Sequence, residues 1–216
     1  MPRAYRDRMA IFADRTAAGV DLAAELAAWR GQDAVVAGIP RGGIVVAAEV
    51  ARVLGLPLGA VVVRKLGAPE QEEFALGAIA EDVRVLTDRG GRVGTVTPEQ
   101  MAMVEDAERE ELRRRSALFG GIGSVAGRTV IVVDDGVATG ATATAACRSL
   151  RGRGVAHLVL AVPVAPTAWM PDPAVVDEYV CPHPQRRFWA VGEFYDDFTQ
   201  TSDAEVLALL HHDPRA

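Results

Sequence analysis

The sequence predicts an α/β protein: a mainly parallel sheet with helices on both faces, carrying a small C-terminal hood. Three observations lead there. Strand-like apolar runs alternate with helical patterns through most of the chain, as crossover connections require. Thr129–Val133 (TVIVV) is continuously apolar and β-branched, as a parallel strand covered on both faces must be. Glycines, 21 in all, stand repeatedly just after such runs, where tight strand-to-helix turns are needed.

Taken in order, residues 16–30 place Val20, Leu22, Ala23, Leu26 and Ala27 near helical spacing and predict an amphipathic helix. Residues 33–39 read as a short buried strand, broken by Pro40-Arg41-Gly42-Gly43, and residues 44–54 as a helix. Residues 60–63 read as a second buried strand, ending in Arg64-Lys65. Residues 66–74 are polar, contain Gly and Pro, and read as a mobile loop. Residues 75–80 and 83–87 are apolar enough for strands or a hairpin.

Thr97-Pro98-Glu99-Gln100 combines a capping Thr, a Pro suited to the first helical position and a Gln that completes a capping box. The densely charged helix it opens is expected to reach about Leu118, supported by pairs such as Glu111 and Arg115. After the strand at Thr129–Val133 a helix runs to about Leu150, and residues 155–164 form another strand. Prolines then cluster between Pro163 and Pro184, around a short strand at 175–180. Ser202-Asp203-Ala204-Glu205 is a second capping box, opening a last helix to about Leu210. Residues 1–216 read as one domain, with residues 163–200 as its hood or cap.

Half of the residues are hydrophobic and 24% are charged, which allows a sizeable core and excludes wholesale disorder. The net charge of −6 argues against a general nucleic-acid partner. Cys147 and Cys181 form neither a CxxC pair nor a disulfide framework, which suits a cytoplasmic location. The basic start MPRAYRDRMA lacks the apolar stretch of a secretory signal, and no run suggests a membrane span.

The chemistry concentrates in residues 130–142, VIVVDDGVATGAT. A buried strand delivers Asp134 and Asp135 to its C-terminal end, the sheet edge where open α/β folds bind ligands. Residues 136–142 are small and lead into a helix, so backbone N–H groups and the helix dipole can approach an anion. Thr139 and Thr142 add hydroxyls. Two carboxylates beside an anion cradle call for a different partner, such as a sugar diol or a metal. The bland alternative is an ordinary strand-to-helix turn with exposed acids.

At these residues the chain resembles the type I phosphoribosyltransferases. Their motif for phosphoribosyl pyrophosphate (PRPP) is four apolar residues, two acids and a small-residue loop ending TGxT-like. Val130 to Val133, Asp134-Asp135 and Gly136 to Thr142 match it throughout. IPRGG, RKLGAPEQEEFALGAIAED and FYDDF extend the likeness over nearly the whole chain, to a group of bacterial predicted phosphoribosyltransferases of unsettled acceptor.

The resemblance implies that Asp134 and Asp135 hold the ribose 2′- and 3′-hydroxyls. It implies that Ala138, Thr139, Gly140, Ala141 and Thr142 bind the 5′-phosphate. It assigns pyrophosphate to Arg41, Gly42 and Gly43, in a turn that often carries a strained peptide bond, and to Lys65. Alone, an RGG turn or a strand-end lysine also reads as a solvated charge. The implied reaction displaces pyrophosphate from ribose C1 by a nitrogen nucleophile, with Mg²⁺ bound mainly through PRPP and water near Asp134 and Asp135. Ala138 stands where 6-oxopurine enzymes carry an aspartate, so the base is left open; Glu81 or Asp82 are candidates.

Acceptor specificity is expected in the hood, whose aromatics are Trp169, Tyr179, Phe188, Trp189, Phe194 and Tyr195; most would form the hood's own core. Asp196-Asp197 reads either as a solvated turn or as a contact to Mg²⁺-pyrophosphate. Cys181 with His183 offers too few ligands for a metal. A PRPP sensor is the alternative to an enzyme, and it would need a basic face. The clusters available are Arg113-Arg114-Arg115, Arg151, Arg153 and Arg186-Arg187, and the first lies among glutamates. A degenerate structural partner is a third reading, opposed by the complete acidic pair and loop. The expected partners are PRPP and a small acceptor, with no membrane, no nucleic acid and a possible homodimer.

Overall fold

Continuously apolar runs in three strands cover both faces of the central sheet. The computed structural model describes residues 10–68, 71–87 and 96–211, with only the backbone described for 71–75. Five parallel strands lie in the order β2-β1-β6-β7-β9: β1 (Ala34–Gly38), β2 (Leu58–Ala60), β6 (Thr129–Val133), β7 (His157–Ala161) and β9 (Glu178–Val180). Successive side chains point to opposite faces. Val130, Val132, Leu158 and Leu160 face α4 (Ala141–Gly152). Ile131, Val133, Val159 and Ala161 face the pair α1 (Arg15–Glu25) and α2 (Gly42–Leu54). Gly38 is in register with Val133, and Val133 with Ala161, so β1, β6 and β7 end along one edge.

The helices start where the sequence supplies caps. Asp14 accepts from the Ala17 N–H (2.8 Å) at the start of α1. This helix ends at Glu25, and residues 27–29 form one 3₁₀ turn instead of the longer helix expected. The capping box of α3 (Pro98–Phe119) is present in both directions: Gln100 N–H to Thr97 Oγ1 (3.2 Å) and Thr97 N–H to Gln100 Oε1 (2.9 Å). Ser202 and Glu205 likewise cap α5 (Asp203–His211).

Two expectations fail in the segment after β2. Val61 to Val63 do not extend that strand; they cross as coil to a second sheet, with Val61 and Val63 buried and Val62 partly exposed. Arg64-Lys65 therefore open a strand rather than end one. The second sheet is antiparallel, in the order β3 (Arg64–Ala68), β4 (Gln71–Ala80) and β5 (Val83–Leu86). Of the residues expected as a mobile loop, 66–68 and 71–74 lie in β3 and β4, and 69–70 lie outside the described residues; cross-strand backbone bonds need no apolar side chain. The pairing is irregular around Gly67. Leu66, Leu76 and Ile79 pack on Leu112 of α3, while Ala78 and Ala80 join the α4 face of the main core.

The hood segment is divided. β9 adds an edge strand to the main sheet, while β8 (Val164–Pro166) and β10 (His183–Gln185) form a separate two-stranded pair. Beyond β10 the chain returns to its own beginning. The Ile11 and Phe12 N–H groups donate to Phe194 O (2.8 and 3.0 Å), and the Asp196 and Asp197 N–H groups donate to Phe12 O and Ala13 O (both 2.9 Å). Among the described residues no helix is long and apolar enough to cross a membrane.

Candidate functional site

The C-terminal edge of β6 carries Asp134 and Asp135, both partly exposed, and residues 136–142 follow as a loop into α4. Gly140 caps α4 in the left-handed region (φ 79°), and its α-carbon is roofed by Trp169: a β-carbon there would lie 2.1 Å from the indole Nε1. Only glycine meets both conditions. A cavity of about 530 Å³ opens above this loop. Lys65, Asp134, Asp135, the loop residues Ala138, Thr139, Gly140 and Thr142, and Trp189 and Phe198 line it. Ala141, buried, begins α4 beneath the loop.

The Arg41-Gly42-Gly43 turn meets the acidic pair through backbone alone. A β-carbon on Gly42 would lie 2.0 Å from Asp135 Oδ2, and one on Gly43 would lie 2.7 Å from Asp134 Oδ1 and 3.0 Å from Val133 O. These glycines let the first turn of α2 close against β6. The Pro40–Arg41 peptide bond is cis. Arg41 is half-buried at the start of α2 and is not among the residues lining the cavity.

The two acids differ in their partners. Arg15 Nε donates to Asp135 Oδ2 (2.8 Å), and the Tyr195 hydroxyl donates to Asp135 O (2.6 Å). Asp134 Oδ1 accepts from the Asp135 N–H (2.9 Å). Burial holds both carboxyls above the usual carboxylate range. Asp134 is held further up, because the Asp135 charge adds to desolvation, whereas Arg15 pulls Asp135 back down.

Other expected residues are resolved into roles or removed from the site. Glu81 and Asp82 are exposed at the β4–β5 turn and do not line the cavity; Glu81 borders a different hollow with Arg109 and Arg113. Of the six hood aromatics, Trp189 alone lines the cavity, and it is 86% exposed. Trp169 packs edge-on to Tyr179, and Phe194 is buried against Phe188. Asp197 closes a local turn, accepting from the Thr199 N–H (2.9 Å). His183 pairs with Asp21 (2.8 Å). Arg114 and Arg115 are tied to Glu111, and Arg151 to Asp177.

Arg15 and Phe198 are among the site residues to which the sequence assigned no role. Arg15 sits in the first turn of α1 among alanines, with no motif around it. Its partner lies 120 residues away, so no local pattern could have joined them.

Fold and site together define a parallel α/β domain with an acidic pair and a helix-capped small-residue loop at the carboxyl edge of its sheet. The phosphoribosyl transferase domain model matches residues 14–199. Two Mycobacterium tuberculosis proteins, "Putative phosphoribosyl transferase Rv0571c" (strain H37Rv) and "Putative phosphoribosyl transferase MT0597" (strain CDC 1551 / Oshkosh), are each 48% identical over 207 residues, covering 94% of this chain and 47% of the relative. The chain therefore spans about half the length of the curated relatives it matches. The crystal structure of TT1426 from Thermus thermophilus is similar at a TM-score of 0.69 and 40% identity, covering 92% of this chain and 97% of that one. The chain belongs to the phosphoribosyl transferase family.

Proposed function

We propose that this domain binds PRPP and transfers its 5-phosphoribosyl group to a nitrogenous base or related small acceptor, releasing pyrophosphate. The observation that carries the reading is the joint placement of Asp134, Asp135 and the 136–142 loop on one cavity at the N-terminus of α4. Carboxylates accept hydrogen bonds from a vicinal diol, and loop N–H groups with the Thr139 and Thr142 hydroxyls suit a phosphate. Asp134 and Asp135 hold the ribose hydroxyls, and Ala138, Thr139, Gly140, Ala141 and Thr142 hold the 5′-phosphate. Arg41, Gly42, Gly43 and Lys65 receive the pyrophosphate.

In the transfer, the C1–O bond to pyrophosphate breaks as the acceptor nitrogen bonds to C1 from the opposite face, and the proton on that nitrogen passes to water. Ribose carries oxocarbenium character between the two events, as in glycoside cleavage. The protein's contribution is positioning and charge: Lys65 and the Arg41 turn stabilise the leaving pyrophosphate. Trp189 offers an exposed aromatic face to a planar acceptor. Among the described residues no cluster of three or more acidic, His or Cys side chains would cage a metal. The donor set fits Mg²⁺ carried by pyrophosphate and water beside Asp134 and Asp135, where it would neutralise leaving-group charge.

PRPP sensing is the alternative. The ion pairs that occupy Arg114, Arg115 and Arg151 reduce the basic surface a nucleic-acid regulator would use, which favours the enzyme. Calorimetric titration of Mg²⁺-PRPP into wild type and the Asp134→Asn/Asp135→Asn protein tests the reading. Binding by wild type, lost in the double variant, is expected and leads to an acceptor screen by pyrophosphate release. No binding by wild type would overturn it.

A further inference from the structure

We propose that Arg15 is a positioning residue of the ribose site, acting through Asp135. This rests on the reading of the acidic pair given above. Arg15 reaches the pair from α1 and is held on several sides. Its Nε donates to Asp135 Oδ2 (2.8 Å), one Nη donates to Thr199 O (2.8 Å), and the guanidinium carbon lies 3.8 Å from the centre of the Phe198 ring. Arg15 is 11% exposed and Asp135 15%. The Gly42 α-carbon closes the remaining side: the place of its absent β-carbon is 2.0 Å from Asp135 Oδ2 and 2.6 Å from Arg15 Nε. Tyr195 fixes the backbone of the same residue by donating to Asp135 O (2.6 Å).

Two consequences follow for ribose recognition. With Oδ2 engaged by Arg15 and crowded by the Gly42 backbone, the carboxylate plane of Asp135 is fixed and Oδ1 is the oxygen it turns toward a sugar hydroxyl. Adjacent carboxylates at a half-buried strand end also repel each other, and Arg15 supplies the compensating charge at Asp135. Among the described residues, the other groups facing Asp135 supply no cation in direct contact. Asp134 is an acid, α2 offers glycine backbone, and Tyr195 is a neutral hydroxyl. Lys65 of β3 stands on the cavity wall. A buried ion pair contributes little net stability, because desolvation offsets attraction. Its effect belongs to the orientation of Asp135.

The test uses two calorimetric probes, Mg²⁺-PRPP and Mg²⁺-pyrophosphate, on wild type, Arg15→Gln and Arg15→Lys, with melting curves for each. Loss of one charge-assisted hydrogen bond corresponds to about a tenfold effect. Arg15→Gln is expected to weaken PRPP by about that factor while leaving pyrophosphate, which has no diol, unchanged. Arg15→Lys keeps the charge without the fork and is expected to fall between. In an Asp135→Asn background, Arg15→Gln is expected to add nothing further. PRPP affinity unchanged in both Arg15 variants would overturn the proposal, as would parallel loss of PRPP and pyrophosphate or a full additive loss with Asp135→Asn. If Arg15→Gln does not fold, the PRPP-to-pyrophosphate ratio in Arg15→Lys decides. A wild type that binds no PRPP overturns the underlying reading, and this one with it.

Discussion

Replacing Gly43 by alanine inserts a methyl group between the first turn of α2 and the end of β6. The new β-carbon would lie 2.7 Å from Asp134 Oδ1, 2.9 Å from Asp134 Cα and 3.0 Å from Val133 O. Two of these contacts are backbone atoms, so no rotamer change relieves them. Ordinary contact begins near 3.4 Å, so helix and strand must part by about half an ångström. Overpacking of this kind costs about 1–3 kcal/mol, and the better helix propensity of alanine returns up to about 1 kcal/mol. A net loss of about 1–2 kcal/mol lowers the melting temperature by roughly 2–8 °C for a domain of this size. The same displacement moves the Arg41 turn relative to the acidic pair, and PRPP affinity is expected to fall at least about tenfold. Gly152→Ala is the control. It lies at the exposed end of α4 with nothing within 4 Å of the added carbon, and is expected to stabilise by about 0.5–1 kcal/mol. Thermal melts and PRPP titrations of both variants make the assay. A Gly43→Ala protein that melts at or above wild type and binds PRPP normally would refute the close-approach argument.

Two other outcomes are expected. The carboxyl of Asp134 is held above its unfolded value, so the native state binds the proton more tightly and wild-type stability falls as pH rises from the ordinary carboxylate range through the raised value. Asp134→Asn removes that fall; ligand-free, it should unfold at higher urea than wild type at pH 7 while losing PRPP, and a lower urea midpoint would contradict the assigned desolvation. Trp189→Ala, at a residue 86% exposed, should change stability by less than about 0.5 kcal/mol and leave PRPP affinity intact. It should raise the acceptor KM several-fold in a pyrophosphate-release assay, and an unchanged KM would remove Trp189 from acceptor binding.

What the sequence disclosed was what local chemistry encodes. TVIVV has no alternative to a two-sided buried strand, and Thr97 with Gln100 names its own helix start. The acidic pair and its loop are contiguous, so their placement on one cavity followed from the chain itself. Residues 61–63 misled because burial makes coil as apolar as strand, and only pairing partners distinguish them. The segment after Lys65 misled in the opposite sense: its Gly, Pro and acids suit a loop, yet strand pairing needs only backbone. Arg15 was hidden because its meaning lies in residues from distant parts of the chain: Asp135, Phe198 and Thr199.

The clasp between the chain's beginning and residues 194–199 bears on how the protein assembles. Arg15 joins partners 120 and 184 positions away, and contacts of such separation must close long loops before they return any energy. Within the sheet, β1 pairs with β2 and β6 with β7 across single crossovers, whereas β1 meets β6 only across a long intervening segment (Val35 with Val130). The strand carrying Asp134 and Asp135 therefore pairs locally with β7, while its place against β1, and the cation and hydroxyl that settle Asp135, depend on long-range closure. Arg15 meets its carboxylate across 120 positions, and its bond to Thr199 O closes a longer loop still. A nascent chain stopped short of residue 194 would hold the motif and its strand but lack the clasp, which makes ligand binding a sensitive report on completed folding.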